Sequence, residues 1–422
     1  MPSQALVRGL AFSACLILGR NAFAQSPPPD AEAPQTREAA IQAERQEKVA
    51  VLWPERQSPI ADRVNAFVDR GAREGLNSGD GNAGFHPVLG GMRTGQGVSG
   101  GIGYRVAGLW RDRLSLRGTA RGTIRPAYMF DFDVDVKGLS NSRRFVNWYS
   151  KLEHSPDMVY YGQGSNSPER ARAKYRLRDV ASDVNLGFEP WRTVRVGFTT
   201  GFLHANIGQL ERENLLELDE SVVSAETPGI GDETNFFRFG AFVALDRRDL
   251  ASGAHRGSFF GARFRRFEDL DANQFSFRQT EFEFQHYVPY ANEGRVIAVR
   301  AASVLSFPAT GHRVPVYLQP TAGGNDDLRG FAWARFHDNH ALYISVEHRW
   351  HVFPFLDGSV FMDAGKVVAE RSDISLLDLR YSGGIGFRVR LIDAVVVRMD
   401  LGRSKEGFRA IFTFSDVFKA PW

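Results

Sequence analysis

The chain has 422 residues, with 52 Lys and Arg against 49 Asp and Glu and a formal net charge of +3. That balance is too small to argue for nucleic acid as a partner. The single cysteine, Cys15, excludes an internal disulfide framework and a thiolate-built metal site.

Residues 1–24 read as an export signal. Arg8 supplies the positive start, Leu10 to Leu18 a short apolar stretch, and Ala22-Phe23-Ala24 a cleavage site before Gln25. The stretch is too short to cross a bilayer as a helix, which needs roughly 20 residues. A lipoprotein signal ending at Cys15 is the rival reading. Phe12 and the apolar run beyond the cysteine argue against it.

Residues 25–80 form a separate extension. Pro27-Pro28-Pro29 begins it as a flexible leader, followed by helices expected over Glu38 to Leu52 and Ser58 to Leu76. In the second, Ser58 is the N-cap and Pro59 the first helical residue. Ile60, Val64, Phe67 and Val68 then share a face. The extension is read as a segment leaning on the rim of the larger C-terminal region; a plug or docking helix is the sharper alternative.

From Gly84 onward the texture changes. Aromatic residues are plentiful (33 Phe, 11 Tyr and 7 Trp), and there are 42 Gly. Apolar residues alternate with charged ones, so the mean hydropathy stays at -0.28. Val395, Val397, Met399 and Leu401 oppose Val396, Arg398 and Asp400, and Ile385, Phe387, Val389 and Leu391 oppose Arg388 and Arg390. Leu342, Ile344, Val346 and Trp350 oppose Ser345, Glu347 and Arg349, while Phe282, Phe284 and Val288 oppose Glu281, Glu283 and Gln285. Burying those charges in a dry core is expensive; facing them into a wet lumen removes the cost. The fold class is therefore all-β, a transmembrane antiparallel β-barrel over 84–422 with a short helical N-terminal extension. It has about sixteen strands. They begin near Phe85, Gly97, Arg113, Pro126, Arg143, Ala171, Trp191, Asn235, Gly257, Gln274, Arg295, Ala341, Gly358, Tyr381, Ala394 and Phe408. Tight turns such as Glu189-Pro190 and Ala291-Asn292-Glu293 fall on the periplasmic side. The longest insert, Pro308 to His340, separates the eleventh and twelfth strands, and loops of that size usually have a role. Export and alternation together place the chain in the bacterial outer membrane, against outer-membrane lipids and lipopolysaccharide.

Within that insert, Gly323-Gly324-Asn325-Asp326-Asp327-Leu328-Arg329-Gly330-Phe331 resembles the Arg-Gly-Phe/Tyr loop motif of the bacterial surface antigen superfamily. Three further features match it in order. They are Leu245-Asp246-Arg247-Arg248-Asp249 with His255-Arg256-Gly257-Ser258, Phe361-Met362-Asp363-Ala364-Gly365, and the aromatic last strand Phe408 to Phe414. The superfamily includes the BamA and TamA assembly factors and the two-partner secretion transporters. The resemblance implies a role in assembly or translocation of outer-membrane proteins or lipids, with unfolded outer-membrane or secreted proteins as clients. It also implies that Arg329 folds into the lumen and pairs with acidic residues of the next two strands, Glu347 and Asp363. A guanidinium there wants such bidentate partners. Leu328 precedes it, Gly330 would permit a turn that a side chain would block, and Phe331 would pack the loop against the wall. We read the motif as a strut that holds the barrel in shape.

The sequence departs from the family in two places. Residues 25–80 show helix patterns without strands, so no POTRA domain is expected there, and client handling is weighed against a pore or scaffold that has lost it. In the last strand Phe408, Phe412 and Phe414 carry the insertion-signal spacing, but Arg409 stands where glycine is preferred. Gly90 and Gly91 in the first strand have two readings. They bend a barrel corner, or they weaken closure against the last strand and leave a seam. Arg117, Arg121, Arg195, Arg388, Arg390 and Arg398 make the lumen basic or pair with lumen carboxylates. His348 and His351 lie three apart and face opposite sides of a strand. No motif frames a nucleophile, so no catalytic residue, metal or cofactor is expected.

Overall fold

The computed structural model describes residues 83–422 apart from 91, 94, 139–142, 210, 213–226, 291–293, 354–355, 392–393, 415–417 and 419–422. The export signal, the two expected helices and Gly91 lie outside the described residues. Sixteen strands make the wall. They are β1 (Ala83–Leu89), β2 (Ser99–Gly108), β3 (Leu114–Thr123), β4 (Tyr128–Lys137), β5 (Arg144–Tyr160), β6 (Ala173–Trp191), β7 (Val194–Ile207) and β8 (Glu233–Asp246). There follow β9 (Gly257–Asp269), β10 (Phe277–Tyr290), β11 (Arg295–Pro308), β12 (His340–Phe353), β13 (Leu356–Val368), β14 (Arg380–Leu391), β15 (Ala394–Ser404) and β16 (Gly407–Thr413).

Each strand pairs antiparallel with its successor, as β10 does with β11 from Phe277↔Pro308 to Tyr290↔Arg295. The two-residue period sorts the side chains. On β10, Phe282, Phe284 and Val288 are exposed on the lipid side, while Glu283, Gln285 and Tyr287 are buried on the lumen side. On β15, Met399 and Leu401 face out while Arg398 and Asp400 are buried within. The register is fixed because a one-residue slip would put those charges into lipid.

The expected turn at Glu189-Pro190 is corrected. Both residues lie in β6, which runs to Trp191 through a register shift between Phe188 and Trp191, so the turn is Arg192-Thr193. Proline survives there because the shifted pairing asks nothing of its missing N–H. The expected glycine-rich first strand is also corrected. β1 ends at Leu89, and Gly90 lies just beyond it with φ of 71°, a left-handed conformation that ends the strand.

β1 and β16 meet where the chain comes full circle. A Cβ on Gly90 would stand 3.5 Å from the Phe414 Cβ. Yet among the described residues no ladder pair joins β1 to β16. Among the described residues these are also the two shortest of the sixteen wall strands, seven residues each, and Pro87 in β1 has no N–H to offer a second neighbour.

The insert 309–339 leaves β11 and returns to β12. It folds back on itself through a short antiparallel pair, Thr321–Ala322 with Phe336–His337. Its apolar residues form cores inside the wall. Leu328, Phe331 and Phe336 pack with Ala302, Ala341, Tyr343 and Val367. Val316 packs with Tyr160, Tyr175 and Leu177, and Val314 with Phe236, Phe267 and Phe277. The loop thus supplies the dry core that the strands alone, alternating lipid and lumen faces, do not make.

Candidate functional site

Arg329 sits at the tip of this loop with a fully buried side chain. Its Nε donates to Asp363 Oδ2 at 2.9 Å and its Nη2 to Asp363 Oδ1 at 2.6 Å, a bidentate pair, while its backbone N–H donates to Oδ2 at 3.1 Å. Nη1 donates to Glu347. Nη2 also reaches the Ser345 hydroxyl at 3.1 Å, which in turn donates to Asp363 at 2.6 Å. The Phe361 ring lies under the guanidinium, 3.5 Å from its centroid, a desolvated cation–π contact. Burial works against the charge, but Glu347 and Asp363 outweigh it and raise the guanidinium above its ordinary value. The structure therefore brings together Arg329, Glu347 and Asp363, as the resemblance implied.

The network is wider than that trio. Glu347 also accepts from Arg349 Nε and Arg388 Nη2, both at 2.7 Å. Asp400 on β15 lies 3.7 Å from Arg329 and 3.3 Å from Arg398. Arg398 donates to the Asn325 carbonyl and lies 3.5 Å from Asp326. Four guanidiniums thus meet four carboxylates, which is what removing them from bulk water demands.

Gly330 is needed for another reason than a turn. A Cβ there would stand 2.7 Å from the Arg403 backbone and from the Ser382 Cβ, and one on Gly402 would stand 2.7 Å from the Arg329 carbonyl oxygen. The loop backbone therefore lies directly on β14 and β15, where a side chain would pry it off. The Ser404 hydroxyl donates to the Gly330 carbonyl at 2.8 Å. Asp327 folds the tip from within by accepting from the N–H groups of Gly323 at 3.2 Å and Leu328 at 2.7 Å. Burial pushes its carboxyl up to about 6, against the pull of the Leu328 N–H and of Arg300.

The remaining expected residues fall elsewhere. Phe408 and Phe412 lie exposed on the outer face of β16, and Phe412 meets Phe414 edge-on at 5.2 Å. Arg388 and Arg398 belong to the loop network, while Arg121 pairs with Asp131. Arg93 was not among the expected lumen arginines. Arg93, between β1 and β2, donates to Asp179 at 2.7 and 3.1 Å, and its backbone N–H donates to Glu153 at 2.9 Å. Lys151 joins both carboxylates at 2.9 and 3.2 Å. The Trp333 ring leaves no room for a Cβ on Gly95, so the first connection docks on the long loop. Below it, among β4 to β9, lies a polar cavity of 520 Å³ lined by Asp133, Asp183, Arg195, Arg238, Arg263 and Arg265.

A family model described as the Omp85 superfamily domain matches residues 124–394, well over half of the chain. The chain belongs to the Omp85 superfamily. This is the family of BamA, TamA and CdiB, and it places the protein in the bacterial outer membrane. A comparison with curated proteins gives no match. Among solved structures, the fold is similar to BamA from Haemophilus ducreyi lacking POTRA domains 1-3, with a TM-score of 0.58 and 15% identity, covering 79% of this chain and 70% of that one. It is also similar to CdiB from Escherichia coli, with a TM-score of 0.52 and 12% identity, covering 80% of this chain and 62% of that one. At such identities the likeness is one of fold. The Omp85 match spans the insert with its Arg329 motif, both acidic strands and the β8–β9 hairpin.

Two outcomes are expected from this geometry. Arg329→Ala would strand buried carboxylates and lower stability by about 3–5 kcal/mol. It is read as loss of heat-modifiable gel mobility and of protease resistance; unchanged behaviour would contradict the strut. The second concerns His337, also buried in the loop, whose imidazole is held down to about 3 by burial from an ordinary 6.5. The unfolded chain then takes up the proton first, so this contribution is present above pH 6.5 and is lost as pH falls towards 3. Asp327, raised rather than lowered, has the opposite sign and loses stability as pH rises from about 4 to 6. Between pH 7.5 and 4.5 the unfolding free energy of the native chain, read from urea titrations, should therefore fall more than that of His337→Gln, by about 2–3 kcal/mol. Parallel falls would contradict it.

Proposed function

We propose that this protein works on other molecules at the outer membrane, in assembly or translocation of membrane or secreted proteins or of lipids. The observation that carries this reading is the meeting of β1 and β16. Among the described residues they are the shortest of the sixteen wall strands, and no described ladder pair joins them, while each of them pairs with its other neighbour. Neighbouring strand edges that no described ladder joins are where a further extended segment can pair. Such a segment is what an unfolded client of a β-barrel membrane protein offers.

Two further features support it over a free-diffusion pore. The insert fills one end of the lumen with Leu328, Phe331, Phe336 and Val316, all buried, which opposes an open water path. The 520 Å³ cavity among β4 to β9 leaves room for a guest beside the insert. Membership of the Omp85 superfamily agrees with this role.

Depletion in the native host, followed by quantitation of outer-membrane proteins, tests the proposal together with single-channel recording of the purified barrel. Depletion should lower a defined set of outer-membrane proteins or surface lipids, and the purified barrel should conduct weakly. Unchanged outer-membrane composition with strong conductance would favour the pore instead.

A further inference from the structure

Phe418 stands five residues beyond the end of β16, and its side chain is fully buried. It is buried away from β16. The ring packs with Ala254 of the β8–β9 connection, Tyr287 of β10, and Val296 and Ala298 of β11. Tyr287 meets it edge-on at 6.2 Å, and the Arg349 guanidinium of β12 lies over it at 5.0 Å. Tyr287, Ala298 and Arg349 all point inward, so the pocket is on the lumen face, several strands around the wall from β16.

The pocket is built rather than incidental. Arg248 donates to the Phe418 carbonyl at 3.3 Å, and its own side chain is only 1% exposed. It is aimed by Asp246 at 2.9 and 2.7 Å and by Gln285 at 3.0 Å. Asp249 holds the same connection by accepting from the N–H groups of His255 at 3.0 Å and Arg256 at 3.3 Å. The Leu245 to Ser258 motif of the sequence is thus the frame of this pocket. An apolar floor, an aromatic edge, a cation over the ring and a donor for the carbonyl together select one chemistry, an aromatic residue in a peptide chain.

We propose that the inner face of β10–β12, with the β8–β9 connection, is a receptor for this chain's own end and is occupied by Phe418. It ties Phe418 to a part of the wall several strands away from β16. The tie holds whether the barrel handles clients or serves as a pore.

The full-length Phe418→Ala protein empties the pocket and can be offered a labelled peptide of residues 415–422, or that peptide with alanine at position 418. Burying a phenylalanine ring predicts that the variant prefers the native peptide at least about tenfold, while the native chain, already filled, binds it at least about tenfold more weakly than the variant does. Equal binding of the two peptides, or equal binding by native chain and variant, overturns the proposal. The unaltered protein gives a second measurement that survives any folding defect of the variant. Chymotrypsin should release Lys-Ala-Pro-Trp, the four residues after Phe418, from the folded chain at least about tenfold more slowly than from the free peptide. Equal rates overturn it.

Discussion

Removing a guanidinium from water costs several kcal/mol unless each donor finds an acceptor in good geometry. Arg329 meets that demand inside the barrel, where Asp363 takes it bidentately, Glu347 and Ser345 take the rest, and Phe361 covers the flat face. The carboxylates in turn depend on it. Glu347 is shared with Arg349 and Arg388, and Asp400 with Arg398, so withdrawing the loop would leave charges on β12, β13 and β15 without their balance. Loop and wall are one electrostatic unit, and Gly330 and Gly402 let their backbones touch.

The same device recurs on the other side of the lumen. Arg93 fastens the first connection to Asp179 and Glu153 on β6 and β5, and Trp333 of the long loop lies on Gly95. The first hairpin and the C-terminal wall are therefore held from within, through the insert, although β1 and β16 share no described ladder. A barrel braced from inside can tolerate one line of its wall without a described ladder.

Much of this was legible in the sequence because a strand's period of two is a strong signal when lipid and water stand on opposite sides. The expected starts near Phe85, Gly257, Arg295, Ala341 and Ala394 lie within two residues of the observed ones, and the insert from Pro308 to His340 is bounded as expected. Glu347 and Asp363 were reachable by alternation plus the resemblance. What escaped depends on contacts between distant segments. Arg93 pairs with residues 60 and 86 positions away, and nothing local links them. Asp400 joins the network only because the sheet curves it towards the loop. Gly330 looked like a turn residue, whereas its need is close approach, which no local pattern reveals. Phe418 is likewise marked by no local pattern, because its pocket is built from strands far from it in the chain.

The central claim is that Arg329 and the wall carboxylates stabilise the barrel as a coupled unit rather than as separate residues. A double-mutant cycle of Arg329→Ala and Asp363→Asn, read as urea stability of the folded barrel in a bilayer, measures that coupling directly. The account predicts a coupling energy of about 2–3 kcal/mol, with the double variant far less damaged than the sum of the singles. Additive losses would contradict it.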